Sequence, residues 1–299
     1  MKIFISGSKG MLGKELASII PDAFCPSSEE LDLTDQKKVE KFFKQNKFDF
    51  VVHLAAYTGN LHDSKLHQTL FFEKNVLMNT LIVKYAYESG VENFLGILSN
   101  TVYSDAIKRF PLKENQIHDG SPHKDLLSYA FAKRALAVLL DGYKDTFGLN
   151  YNYLIPCNLY GLVSKKNEKR SQFINDLIFK IIDAKREKRK SINLFGDGTP
   201  MRQFMLASDF AEIINIYIKS NINSSFNVAP DFNLSIKEIT SVALEATDSK
   251  DFKVTFDKSM PNGQLRKDLS IKTFKKEIQD FTFTPLNEGI KKIYDHYMQ

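Results

Sequence analysis

The sequence predicts an α/β fold, built on a doubly wound parallel sheet with a smaller C-terminal α/β domain. In the first half of the chain, short β-rich runs alternate with helical patterns, which is typical of a parallel sheet with helices on both faces. A glycine-rich loop directly follows the first of these runs. The length of 299 residues allows one large or two modest domains.

The elements are predicted in chain order. We predict strands at Lys2–Ser6, Ala23–Pro26, Phe50–Leu54, Asn93–Leu98, Asn152–Ile155, Phe226–Val228 and Lys253–Phe256. We predict helices at Met11–Ile20, Asp35–Asn46, Asn75–Ser89, Leu126–Phe147, Ser208–Lys219 and Ser235–Ala246. Thr34 is the predicted N-cap of the second helix. These boundaries assign residues 1–162 to the sheet domain, on which residues 204–222 pack, and residues 163–203 and 223–299 to the second domain.

The composition excludes several classes of protein. Hydrophobic residues make up 43% of the chain and charged residues 26%, which excludes a disordered, collagen-like or coiled-coil chain. No apolar run reaches the ~18–20 residues that span a bilayer, so we expect no membrane partner. Cys25 and Cys157 form neither a disulfide framework nor a metal-ligand pattern, and we expect a cytoplasmic protein without a metal. The net charge of +5 fits an anionic small substrate at least as well as nucleic acid, and we expect no nucleic-acid partner.

The glycine-rich loop has the pattern GxxGxxG and opens the first helix. Glycines permit a tight turn and let the backbone approach a pyrophosphate, while the helix N-terminus presents N–H groups to that anion. The spacing differs from the GxGxxG of many dehydrogenases, but its position after the first strand favours a dinucleotide site. The loop residues predicted to bind the cofactor are Gly7, Lys9, Gly10, Met11, Leu12 and Gly13.

The end of the second strand favours NADP(H) over NAD. An acidic residue there would bind the ribose 2′-hydroxyl and repel a 2′-phosphate, and Phe24–Ser28 contains none. Lys9, Ser27 and Ser28 instead supply a cation and two hydroxyls. Asp32 and Leu33 come later, at a position better suited to the adenine.

Tyr129 and Lys133 form a YxxxK motif, whose i,i+4 spacing places both side chains on one helix face. A nearby ammonium is expected to lower the pKa of the phenol, which makes the tyrosine an acid or base near neutrality. Ser99 follows the strand at Asn93–Leu98, at the sheet edge where ligands bind, and could donate a hydrogen bond to a substrate carbonyl oxygen. We predict that Ser99, Tyr129 and Lys133 are catalytic.

With these motifs the chain resembles the extended short-chain dehydrogenases/reductases that act on nucleotide sugars. It is most similar to their GDP-L-fucose synthase branch, the 3,5-epimerase/4-reductases of GDP-4-keto-6-deoxymannose. The matching stretches run nearly end to end: Gly7–Gly13, His53–Ala56, Ser99–Tyr103, Tyr129–Lys133, Pro156–Gly161, Phe195–Phe204, Phe256–Asp257 and Pro261–Lys267.

The resemblance implies a Rossmann domain that binds NADPH and a smaller domain that binds a GDP-linked 4-keto-6-deoxy-sugar. It implies a homodimer formed through the helices Asn75–Ser89 and Leu126–Phe147. Arg202 and Lys267 would meet the diphosphate, although Arg202 could instead pair with Asp209. The resemblance also implies that the cofactor is walled by Leu54, Ala55, Ala56 and Pro156, and it gives the other substrate positions as Thr101, Asn158, Gln172, Lys180 and Phe195.

Two departures from this branch concern the epimerisation. The branch carries a cysteine two residues after the catalytic serine and a histidine at the start of the first substrate-domain helix, which act as base and acid. Here these positions hold Thr101 and Gln172. The resemblance therefore implies a C4 reductase of a hexose or heptose substrate without 3,5-epimerase activity, unless His118 or His123 replaces the missing pair.

Three different functions stay open. One is a bifunctional 3,5-epimerase/4-reductase of the GDP-L-fucose synthase type, and another is a nucleotide-sugar 4-epimerase that retains its NAD. The third is an inactive NADP-binding regulator. Dehydratases of this superfamily carry an Asp-Glu pair after the catalytic Ser or Thr, and Asn100-Thr101 argues against that activity.

Overall fold

The computed structural model describes residues 1–59, 61–163, 172–260 and 262–299. Residues 164–171 of the predicted second domain and Pro261 of the last motif lie outside the described residues. The strands are β1 Ile3–Ser6, β2 Phe50–His53, β3 Asn93–Ile97, β4 Asn150–Pro156, β5 Asn158–Tyr160, β6 Ser191–Phe195, β7 Met201–Arg202, β8 Phe204–Leu206, β9 Phe226–Val228, β10 Leu234–Ser235 and β11 Lys253–Asp257. The helices are α1 Met11–Ile19, α2 Gln36–Gln45, α3 Leu61–Leu66, α4 Gln68–Glu88, α5 Leu127–Phe147, α6 Phe173–Arg186, α7 Ala207–Lys219, α8 Ile236–Ala246, α9 Lys272–Glu277 and α10 Leu286–Met298.

The central sheet is parallel, with the strand order β1-β2-β3-β4-β9. The predicted strand Ala23–Pro26 is reduced to a bridge at Phe24, whose N–H and carbonyl bond Ile3 and Ile5 on the other side of β1 from β2. After β1, the chain therefore pairs first at Phe24 on one side of this strand and then forms β2 on its other side. Such a switch point opens a crevice beyond the carboxyl ends of the strands, where ligands bind. The predicted α/β class and parallel sheet are confirmed.

Helix boundaries follow local capping chemistry. The N-cap of α2 is Asp35, whose carboxylate accepts from the backbone N–H of Lys38. The predicted cap, Thr34, instead donates its hydroxyl to Asp32. Helix α4 begins seven residues before the predicted Asn75, and α5 is followed by the C-cap residue Gly148, which takes a left-handed conformation with φ 69°.

Two hydrophobic clusters of the described residues define where the core lies. One surrounds the central sheet and includes residues of α1, α4, α5 and α7. The other joins α6, α8 and α10 to β6 and β8. The predicted boundaries assign β9 and α9 to the second domain. Strand β9 pairs with β4, and Phe274 of α9 packs into the sheet cluster, because the crossover helix α7 returns the chain to the open edge of β4.

Within the part of the chain that the structure describes, every helix is too short or too polar to cross a membrane.

Candidate active site

A cavity of about 1040 Å³ lies beyond the carboxyl ends of the central strands. It is lined by the loops that follow β1, β2, β3 and β4 and by the first turns of α5. All the predicted cofactor positions line it, namely Gly7, Lys9, Gly10, Met11, Leu12, Gly13, Ser27, Ser28, Asp32, Leu33, Leu54, Ala55, Ala56, Tyr129, Lys133 and Pro156. The predicted substrate positions that line the same cavity are Thr101, Asn158, Gln172, Arg202 and Lys267.

The glycine loop is shaped by close backbone approaches. Gly7 has φ 74°, and a Cβ there would lie 2.6 Å from the backbone nitrogen of Ala55. A Cβ on Gly13 would collide with the backbone of Gly7 and Ser8. Side chains would fill this cradle, so the glycines keep the N-terminus of α1 open to the cavity. The loop therefore fits a bound pyrophosphate.

Glu30 is an acidic residue that follows the predicted strand Ala23–Pro26 and was not predicted to belong to the site. Glu30 accepts from the backbone N–H of Ser27 at 2.7 Å, and its own N–H donates to the Ser27 hydroxyl. Hydrogen bonds from the backbone and the side chain of Ser27 to the Glu30 carboxylate hold the pKa of Glu30 below its usual value, and the charge of Lys9 adds to the effect. Lys9 is exposed beside the cavity. Glu30 is not part of the described lining of the cavity, whereas Lys9, Ser27, Ser28 and Asp32 are.

The three residues that the sequence predicts to be catalytic all line this cavity. Ser99 follows β3 and accepts hydrogen bonds from the N–H and the hydroxyl of Thr101. The Lys133 ammonium donates to the carbonyl of Ile97 at 2.6 Å and lies 5.9 Å from the centre of the Tyr129 ring. Serine, tyrosine and lysine from β3 and α5 thus face one ligand space.

The expected lowering of the Tyr129 pKa is wrong for this structure. Burial raises the pKa of the phenol, and it lowers the pKa of Lys133 to about 8. The ammonium donates to Ile97, and desolvation outweighs its attraction for a phenolate. Tyr129 is consequently protonated near neutrality, which is the form that can donate a proton.

Sequence reasoning missed a buried polar network behind the site. His53 Nδ1 accepts from the Ser6 hydroxyl at 2.7 Å, and its Nε2–H donates to the side-chain oxygen of Asn79 at 3.0 Å. The Asn79 amide nitrogen donates to the carbonyl of Ala132, next to Lys133. Burial, with a smaller effect of the Lys133 charge, lowers the pKa of His53 to about 3, so the imidazole stays neutral. A lone histidine in the apolar run Phe50–Leu54 was the available signal.

Two further cations line the cavity: Lys267 is buried, and Arg202 is half-buried. Burial lowers the pKa of Lys267 to about 8, with a further lowering by Arg202, and burial lowers the pKa of Arg202 to about 10. Asp105 is the acid whose charge acts on both. Asp209, the alternative partner of Arg202, instead accepts from the N–H and hydroxyl of Thr284. Desolvated paired cations suit a diphosphate.

A second cavity of about 240 Å³ adjoins the first cavity at Arg202. It shares Asn158, Gln172 and Arg202 with the first cavity and is also lined by Phe195 and Asn262. Aromatic rings, side-chain amides and several backbone turns there could enclose a planar base.

Lys180 is the one predicted site residue that the described lining of neither cavity includes. Its ammonium pairs with Asp176 at 3.0 Å and lies 5.2 Å from the centre of the Phe195 ring. The residue therefore sits behind the wall of the smaller cavity.

The two histidines that could replace the missing epimerase pair also lie apart from the described lining of both cavities. His118 is exposed. His123 accepts from the N–H of Asp125, and its Nε2 lies 3.8 Å from the carboxylate of Asp105. In this structure neither imidazole reaches the space in front of Ser99 and Tyr129.

Residues 3–229 match the NAD dependent epimerase/dehydratase family. Over its full length the chain is 28% identical to a probable GDP-L-fucose synthase of Drosophila melanogaster, 97% of which is covered. It is 29% identical over its full length to a GDP-L-colitose synthase of Yersinia pseudotuberculosis, 98% of which is covered.

A solved structure has the same fold. The crystal structure of a GDP-L-fucose synthetase from Naegleria fowleri bound to NADP matches with a TM-score of 0.87 and 26% identity, over 99% of this chain and 93% of that one. The resemblance inferred from the sequence motifs is confirmed. The chain belongs to the NAD dependent epimerase/dehydratase family.

Proposed function

We propose that this protein is an NADPH-dependent C4 reductase of a GDP-linked 4-keto-6-deoxy-sugar, and that it does not epimerise C3 or C5. The observation that carries the proposal is one cavity that is lined both by Ser99, Tyr129 and Lys133 and by the cations Arg202 and Lys267. The names of the relatives support a GDP-sugar as substrate, and the NADP-bound relative supports the cofactor.

The chain's residues divide the reduction between them. Bound NADPH would supply a hydride to the sugar carbonyl. The Ser99 hydroxyl donates to the carbonyl oxygen, and the protonated Tyr129 gives its proton to that oxygen as it becomes an alkoxide. The raised pKa of Tyr129 keeps this proton in place until negative charge develops. Arg202 and Lys267 hold the diphosphate and so fix the sugar against the catalytic end.

The absence of epimerase activity follows from proton chemistry. A 4-keto group acidifies the hydrogens on C3 and C5, and inversion needs a base on one face and an acid on the other. Thr101 and Gln172 do not titrate near neutrality. Cys157 lines the cavity, but burial raises the pKa of its thiol and makes it a poor base.

A solvent-exchange experiment tests this proposal against a bifunctional 3,5-epimerase/4-reductase. The enzyme is incubated with GDP-4-keto-6-deoxymannose in deuterated water without NADPH, beside an enzyme-free sample and a bifunctional GDP-L-fucose synthase. We expect no deuterium at C3 or C5 above the enzyme-free sample, and reduction once NADPH is added. Enzyme-dependent exchange at either carbon would establish the bifunctional activity instead.

Two further measurements test whether the protein is a 4-epimerase or an inactive regulator. A 4-epimerase should purify with tightly held NAD and should need no added cofactor, whereas the proposed reductase consumes one NADPH per sugar. An inactive regulator would bind NADPH without oxidising it in a screen of 4-keto hexoses and heptoses. The same screen identifies the sugar.

We also propose a cytoplasmic homodimer formed through α4 and α5. Exposed apolar side chains on α5 recur three and four residues apart at Phe131, Ala135 and Val138, and they include a Val138 that is 58% exposed. On α4, Phe72 and Leu77 are also exposed. Leu136 and Leu140 are fully buried in the sheet cluster and are not available to a partner. Such an exposed apolar stripe on a helix supports association with a second copy.

A further inference from the structure

We propose that Thr101 is a positioning residue, which orients the Ser99 hydroxyl so that its only hydrogen points to the carbonyl oxygen of the substrate. The inference rests on the proposed reductase function, because it needs a carbonyl in front of Ser99. It assigns Thr101 a role through Ser99, rather than the direct contact with substrate that the sequence predicts.

The hydrogen bonds between the two residues leave Ser99 one direction in which to donate. The Thr101 N–H donates to Ser99 Oγ at 3.3 Å, and the Thr101 hydroxyl donates to the same oxygen at 3.1 Å. A serine hydroxyl accepts two hydrogen bonds and donates one. Since Thr101 occupies both acceptor positions, the hydrogen of Ser99 is directed elsewhere, and both side chains line the cavity.

The backbone holds Thr101 in place for this task. Ser99 is extended, with φ −157°, and begins a 3₁₀ turn at Asn100–Val102, in which the N–H of Val102 donates to the Ser99 carbonyl. Val102 is fully buried. Arg134 donates its Nε–H to the carbonyl of Val102 at 2.8 Å. Because Arg134 directly follows Lys133 on α5, the turn is tied to the helix that carries the other catalytic groups.

The chemical effect is a polarised chain of hydroxyls. A hydroxyl that accepts hydrogen bonds becomes a better donor, and this cooperativity is stronger in a site shielded from water. Without the Thr101 hydroxyl, the Ser99 hydroxyl could rotate and point its hydrogen away from the substrate carbonyl. We therefore expect Thr101 to contribute to the chemical step more than to substrate affinity.

Variants at Thr101 separate positioning of Ser99 from direct substrate binding. Thr101→Val keeps the branched shape and removes the hydroxyl, while Thr101→Ser keeps the hydroxyl. A net hydrogen bond of ordinary strength corresponds to a loss of about 3- to 10-fold in kcat. We expect that loss in Thr101→Val with nearly unchanged KM, NADPH affinity and Tm, and activity close to the wild type in Thr101→Ser.

A double-mutant cycle with Ser99→Ala distinguishes a role of Thr101 through Ser99 from a merely structural role. If Thr101 acts only through Ser99, then Thr101→Val has no further effect on kcat in a Ser99→Ala background. The same fractional loss in both backgrounds overturns the proposal. A raised KM with unchanged kcat also overturns it, because that pattern indicates direct substrate binding.

The wild type is measured first, so that the two proposals can fail separately. Absence of NADPH oxidation with every 4-keto sugar overturns the proposed function, and with it the role of Thr101. Wild-type turnover with an equally active Thr101→Val overturns the role of Thr101 alone.

Discussion

The ammonium of Lys133 donates to the main-chain carbonyl of Ile97, so helix α5 is bonded to the strand that ends two residues before Ser99. This bond joins Lys133 of the YxxxK motif to a residue 36 positions earlier in the chain. It also keeps a buried cation close to the Tyr129 ring. The arrangement fixes α5, which carries Tyr129 and Lys133, against the strand that leads to Ser99, the third proposed catalytic residue.

The pH dependence of turnover should report Lys133. Burial lowers the pKa of Lys133 to about 8, so the side chain is charged below this pH and neutral above it. We expect kcat, measured with both substrates saturating, to fall as the pH rises above about 8. Lys133→Arg keeps its charge, and its residual kcat should lack this fall. A wild-type kcat that stays level from pH 7 to pH 10 would contradict the assignment.

Lys9 should discriminate between the two dinucleotides. Lys9→Ala removes the cation of the glycine loop, and one charge-assisted contact is worth roughly 1.5–3 kcal/mol, or about 10- to 100-fold in affinity. We expect that loss for NADPH and a much smaller one for NADH in fluorescence titrations. Lys14→Ala, at an exposed position on α1, serves as the control. Equal losses for both cofactors would mean that Lys9 does not meet the 2′-phosphate.

Substitution of Arg202 should weaken binding of the sugar nucleotide and leave cofactor binding nearly unchanged. Arg202→Ala leaves Lys267 as the remaining cation of this pair, and we expect KM for the GDP-sugar to rise about 10- to 100-fold. NADPH affinity should change little. Arg186→Ala removes an exposed arginine of α6 and serves as the control. Collapse of NADPH binding in Arg202→Ala would place this residue in the cofactor site or in a structural role.

The two buried lysines predict how the stability of the ligand-free protein varies with pH. Their pKa values of about 8 lie below the ~10.4 of an unfolded chain, so between these values the unfolded state binds more protons. The free energy of unfolding should therefore rise with pH from about 8 to about 10. Urea titrations check this, and Lys267→Met should show a smaller rise. Identical pH slopes in the wild type and Lys267→Met would contradict the desolvation of Lys267.

The exposed face of α5 predicts the effect of a charge on the assembly. Val138→Asp places a carboxylate in the apolar stripe, where burial against a second copy would desolvate it without a partner. We expect sedimentation velocity to show a dimer for the wild type and a monomer for Val138→Asp. Met298→Asp, which also replaces an exposed apolar side chain, should remain dimeric. A wild-type monomer, or a Val138→Asp dimer of unchanged stability, would contradict the proposed interface.

Much of the cofactor end of the site could be predicted from the sequence because its signals are local. The glycine spacing after β1, the i,i+4 pair on α5 and the serine after β3 each depend on neighbouring residues. These residues all line one cavity in the structure. Helices α9 and α10 were not predicted, and β9 was assigned to the wrong core, because their placement depends on packing against distant segments.

The sequence by itself determined which residue types stand at the catalytic positions, and that Thr101 and Gln172 replace a titratable pair. Only the tertiary structure decided the pKa values of the titratable residues in the site. Burial raises the pKa of Tyr129, although the spacing of the YxxxK motif predicted the opposite, because desolvation depends on every segment that covers the phenol. Arg202 and Lys267 line one cavity for the same reason, because residues far apart in the chain meet only once the fold has formed. The pairing of Lys180 with Asp176, by contrast, is a local i,i+4 contact on α6.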